Sequence, residues 1–175
     1  MKMATFTKLL DENKISLIIT SNPFIFDNFI KNDLPKISEL NIYNPIIIID
    51  ASHRIHPSLF SNYEEGVLDK IVIYKPFSLE GVLNIFSKIF HKRKFNKNNK
   101  KNMLIISSLP FIFIPHKFWI YTNFDPLYIY YGLKDIAMRA RYIRILIFIS
   151  TPLDSIKKFK IEKLLNNVFE KIIYL

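Results

Sequence analysis

Short apolar runs alternate along this chain with longer stretches in which apolar residues recur every three or four positions. The runs at 16–20, 45–50, 70–74, 103–107, 143–149 and 169–174 are rich in Ile, Val, Leu and Tyr. Most are continuously apolar rather than alternating, the pattern of strands covered on both faces. The stretches 27–40, 78–90, 126–141 and 160–166 carry helical spacing instead. In the second of these, Ser78 is a candidate N-cap ahead of a stripe of Val82, Leu83, Ile85, Phe86 and Ile89. Strands separated by helices predict right-handed crossovers and a parallel sheet. The expected fold class is α/β, with a mostly parallel, twisted sheet flanked by helices. No internal repeat or linker interrupts the pattern, so one domain is expected over 1–175.

Composition narrows the class. Half of the residues are hydrophobic and 15% are aromatic, which excludes a disordered chain. Cysteine is absent, so there is no disulfide framework, thiolate metal site or thiolate nucleophile. Glutamine is absent too, while Ile, Lys and Asn abound, as in an intracellular protein from an AT-rich genome. The net charge of +10 and pI of about 9.7 call for an anionic partner, nucleic acid first. A solvated basic surface is the plainer alternative. The longest apolar runs, 45–49 and 145–149, fall far short of the ~18 residues that a membrane helix needs. The N-terminal residues lack the apolar core of a signal peptide, and a cytoplasmic location is expected.

Candidate chemistry is sparse. The first strand leads through 21–28 into a helix, where a phosphate-binding loop of the form GxxxxGK[ST] would lie. Its two glycine positions hold Ser21 and Phe26, its lysine position holds Asp27, and its hydroxyl position holds Asn28. Backbone N–H groups wrap phosphates best where glycine permits, and a carboxylate repels them. Gly66, Gly81 and Gly132 are the three glycines, and none is read as following a strand and opening a helix. No nucleotide cofactor is expected. Asp50, His53 and His56 follow a strand end, but a polar loop explains them better than a metal site. Ser107 and Ser108 have no assignable base and lack a nucleophile-elbow setting. Glu64 and Glu65 beside Gly66 read as a turn.

Taken in order, the segments 46–55, 56–60, 68–77, 103–109, 144–151 and 166–175 resemble the ATPase core of RecA-type recombinases. The likeness is strongest to the archaeal RadA branch and its paralogues, and it covers nearly the whole chain. It implies that 21–28 stands where Walker A would be and that Ser107 stands at the Walker B aspartate. It also places Ser52 at the catalytic glutamate. With the lysine, aspartate and glutamate all replaced, phosphoryl transfer has neither its electrostatic clamp nor its water-positioning group. The resemblance therefore implies a pseudo-ATPase, not an enzyme.

It also implies where DNA would be met. Recombinases contact DNA through two loops, which correspond here to 110–121 and 152–160. In the first, Lys117 lies beside Phe118, Trp119 and Tyr121; in the second, Lys157, Lys158 and Lys160 surround Phe159. Lysine next to an aromatic ring suits a phosphate-plus-stacking contact. Core or partner packing is the competing reading of the first loop. The densest charge is the run 91–101, with Lys92, Arg93, Lys94, Lys97, Lys100 and Lys101 and no acid. It reads either as a non-specific phosphate patch or as a solubilising loop.

The expected function is that of a non-catalytic recombinase paralogue, an accessory factor in homologous recombination and DNA repair. Its expected partners are DNA, single-stranded above all, and a recombinase or second paralogue, in a homodimer or heteromer. The alternative is a regulatory protein–protein interaction module with no DNA role.

Overall fold

The computed structural model describes residues 3–12, 14–40, 42–92, 102–110, 134, 143–150 and 162–175. Six strands form one sheet: β1 (Ile15–Thr20), β2 (Tyr43–Asp50), β3 (Ile71–Tyr74), β4 (Asn102–Pro110), β5 (Ile143–Ser150) and β6 (Lys171–Tyr174). Their order is β3-β2-β4-β5-β1-β6, and every pairing is parallel. All six apolar runs thus become strands of an α/β fold. Their boundaries differ from expectation by up to three residues. β4 continues to Pro110, paired with β5, so the segment after it begins later. β6 starts at Lys171, because the Phe169 N–H still donates to the Leu165 carbonyl (3.0 Å).

The helices around the sheet are α1 (Met3–Glu12), α2 (Phe24–Asn28), α3 (Leu34–Glu39), α4 (Glu65–Leu68), α5 (Leu79–Lys92) and α6 (Glu162–Val168). Ser78 does cap α5: its Oγ accepts the Gly81 N–H at 3.1 Å. The expected turn at 64–66 is instead the start of α4, with Glu64 in extended conformation just before it. The expected helix at 126–141 lies outside the described residues except for Lys134, which is helical.

Helix α1 was not anticipated, although Phe6, Leu9 and Leu10 have helical spacing and all three are buried. The Arg144 guanidinium holds its end, donating from Nε to the Leu10 carbonyl at 2.8 Å. A cation at the last turn of a helix meets both free carbonyls and the negative end of the dipole.

The stretch expected as one helix over 27–40 begins at Phe24 and contains a π-helical turn, Phe29–Asp33, between α2 and α3. Pro35 explains the turn. A proline inside a helix removes an N–H and clashes with the preceding turn. The Leu34 N–H donates five residues back, to the Phe29 carbonyl. The next carbonyl in that pattern, Ile30, faces residue 35, which has no N–H to give. The Tyr63 hydroxyl donates to it instead.

One face of the sheet packs Ile18, Ile46, Ile48, Leu104, Ile106, Leu146 and Phe148 against α1, α2, the π turn and α3. An aromatic cluster joins these layers. Phe148 lies 5.4 Å from Phe26, 5.0 Å from Phe29 and 6.3 Å from Phe6, centroid to centroid. On the other face, Leu17, Ile19, Ile47, Ile49, Ile105, Ile145 and Ile147 are equally buried. Burial on both faces is why these strands are continuously apolar.

Candidate functional site: the carboxyl end of the sheet

In open parallel sheets, ligands bind beyond the carboxyl ends of the strands. There a pocket of about 170 Å³ is lined by Thr20, Pro23, Phe26, Ser52, Arg54, Ser108, Phe148 and Ser150. These come from the ends of β1, β4 and β5 and from the segments after β1 and β2. The volume is below the roughly 300–1,000 Å³ of pockets for drug-sized ligands.

The loop after β1 keeps its donors for itself. The Ser21 N–H donates to the Leu175 carbonyl (3.2 Å), and the Asn22 N–H to Thr20 Oγ1 (3.0 Å). Residue 23 is proline and has no N–H. The Phe24 N–H donates to Asn22 Oδ1 (3.0 Å) and the Ile25 N–H to the Asn22 carbonyl (3.2 Å). A phosphate-binding loop works by leaving such groups free for the anion; here residues 21–25 offer none. Phe26 turns inward and is 3% exposed, so its ring fills core space next to Phe148. Asn28 continues α2.

Asp27 is already matched. Arg54 Nε donates to its Oδ1 at 3.1 Å and Nη2 to its Oδ2 at 2.5 Å. This fork-to-carboxylate pairing is the geometry arginine favours. The guanidinium also lies 5.6 Å from the centre of the Phe24 ring. A positive group is therefore present beside the loop, but it comes from the segment after β2 and is neutralised by Asp27.

Asp50 organises that segment. Buried at the end of β2, it accepts from Arg54 N–H (3.0 Å), Ile55 N–H (2.7 Å) and Ser52 Oγ (3.2 Å). The Ala51 and Ser52 N–H groups both donate to the Ser108 carbonyl, and Ser52 and Ser108 hydroxyls hydrogen-bond to each other. Asp50 is thus a structural acceptor. Among the described residues, no group of three His, Asp or Glu side chains is placed to hold a metal ion.

Of the positions singled out in the sequence, Phe26 and Ser52 line this pocket, with Pro23 of the same loop; Ser21, Asp27 and Asn28 do not. Ser107 does not line it: its Oγ is buried and donates to the Ile49 carbonyl (3.3 Å). Its neighbour Ser108 lines the pocket instead. Arg54 and Thr20 also belong to the site and were not singled out; nothing local in the sequence pairs Arg54 with Asp27. Lys92 is the last residue of α5. Arg93, Lys94, Lys97, Lys100, Lys101, Lys117, Lys157, Lys158 and Lys160 lie outside the described residues.

No family model matches the chain, and no curated protein matches it well enough to count as a relative. Among the described residues, no helix is long and apolar enough to cross a membrane.

Proposed function

We propose that the chain has a RecA-like core that has lost its nucleotide, and that it acts as a non-catalytic accessory factor in recombination and repair. In this reading it binds DNA, a recombinase or a second paralogue, and forms a homodimer or heteromer. One observation carries the proposal. Pro23 and Phe26 of the 21–28 segment, Ser52, and Ser108 next to the Walker B position are far apart in sequence, yet all line a single pocket. The chemistry of that pocket favours an inactive site. The N–H groups of residues 21–25 are bonded internally, the lysine position of the resemblance holds Asp27, paired with Arg54, and its acid positions hold Ser52, at the pocket, and Ser107, outside its lining.

The net charge of +10 supports DNA as a partner. The test is fluorescence anisotropy with labelled single- and double-stranded DNA across a salt series. The variant to compare carries Lys157→Ala, Lys158→Ala and Lys160→Ala together. Binding should weaken with salt. The slope of log K against log salt should fall in the variant by roughly 0.7–0.9 for each phosphate that is no longer neutralised. No binding at low salt overturns the DNA reading and directs the search to a protein partner.

A further inference from the structure

Two exposed phenylalanines flank the segment after β2, and each is stacked on a neighbouring residue of it. Phe77, just beyond β3, is 91% exposed, and Phe24 at the start of α2 is 62% exposed. The His53 ring lies against Phe77 with centroids 4.4 Å apart and planes 26° from parallel. His53 is itself fixed. Its backbone takes a left-handed φ of 55°, and its Nε2 donates to the Pro76 carbonyl at 3.1 Å. Next along the chain, Arg54 sits over Phe24 while its fork holds Asp27. Lys75 Nζ donates to the Ile55 carbonyl at 2.6 Å, which places an ammonium with two further N–H donors on the same rim.

Leaving a phenylalanine this exposed forgoes the favourable burial that its ring area would give. The ring is nonetheless stacked on an imidazole that is itself hydrogen-bonded. That arrangement, with basic groups beside it on a chain of net charge +10, is the chemistry of a base-stacking platform. A protein groove would want a continuous apolar surface, whereas here the rings alternate with His53, Arg54 and Lys75.

We infer that Phe77 and Phe24, backed by His53 and Arg54, stack bases of single-stranded DNA. This contact involves other residues than the lysine-bearing segments and rests on the reading that the chain binds DNA. Stacking is sequence-tolerant and needs unpaired bases, so duplex DNA should not use it.

The test compares the full chain with Phe77→Ala, Phe77→Trp and Phe24→Ala, titrated into labelled oligo(dT) and into a duplex. Phe77→Ala should bind oligo(dT) roughly tenfold more weakly. Its salt slope should stay unchanged, because the same phosphates are neutralised. Duplex affinity should also stay unchanged, and Phe77→Trp should bind oligo(dT) as the parent does. Phe24→Ala should show a smaller loss of the same kind. Melting of Phe77→Ala should match the parent, because the ring is exposed. Parental affinity of Phe77→Ala for oligo(dT), or equal losses on oligo(dT) and duplex, overturns the platform alone and leaves the ring as a protein contact. Failure of the parent chain to bind either DNA overturns the DNA reading, and the platform with it.

Discussion

Asp27 and Arg54 settle the charge beside the pocket between themselves. A lysine at 27 would reach for phosphate; the carboxylate draws in a guanidinium from the segment after β2 and is neutralised by it. Position 27 could be read from the sequence as hostile to phosphate. The partner could not, because it lies 27 positions further along the chain. Tyr63 poses the same problem of distance: its hydroxyl serves Ile30, whose helical donor Pro35 cannot supply. Tyr63→Phe leaves that carbonyl unmet and should cost about 1–2 kcal/mol in urea unfolding. The same side chain has a pH signature. Burial raises its hydroxyl pKa well above the ordinary value of about 10. As pH rises past 10 the unfolded chain therefore loses this proton first. Stability that is fully present below pH 10 is then lost with increasing pH. In Tyr63→Phe that alkaline loss should be shallower.

At the scale of elements, the strands were legible because each central one is buried on both faces, which leaves a run of Ile and Leu that no helix of that length needs. The Ser78 cap was legible for a local reason, since cap and donor lie three residues apart. Helix α1 had the spacing of a buried stripe, yet its packing depends on Phe29, Phe148 and Arg144, all distant in sequence. The π turn depends on Pro35, which is local, and on Tyr63, which is not. Phe26 is where element and site meet. It anchors α2 to β5 through Phe148. Phe26→Ala should therefore destabilise the fold by about 3–4 kcal/mol, measured by thermal or urea unfolding. A residue serving only a binding loop would show little change.

For the whole molecule, the six-strand parallel order brings the ends of β1, β4 and β5 and the segments after β1 and β2 to one pocket, and that convergence is what a sequence pattern alone can only imply. The pocket is small, its loop donors are spent, and its charge is balanced internally. On the proposed function, DNA binding should need no nucleotide, and its strength should follow the chain's net positive charge.

The central claim is that this carboxyl-end site does not take a nucleotide. The most direct test is isothermal titration of the purified chain with ATP and ADP, with and without magnesium. The account predicts no binding heat in any of the four titrations. A saturable signal that requires magnesium would contradict it, because it would mean that the loop gives up its internal hydrogen bonds for phosphate.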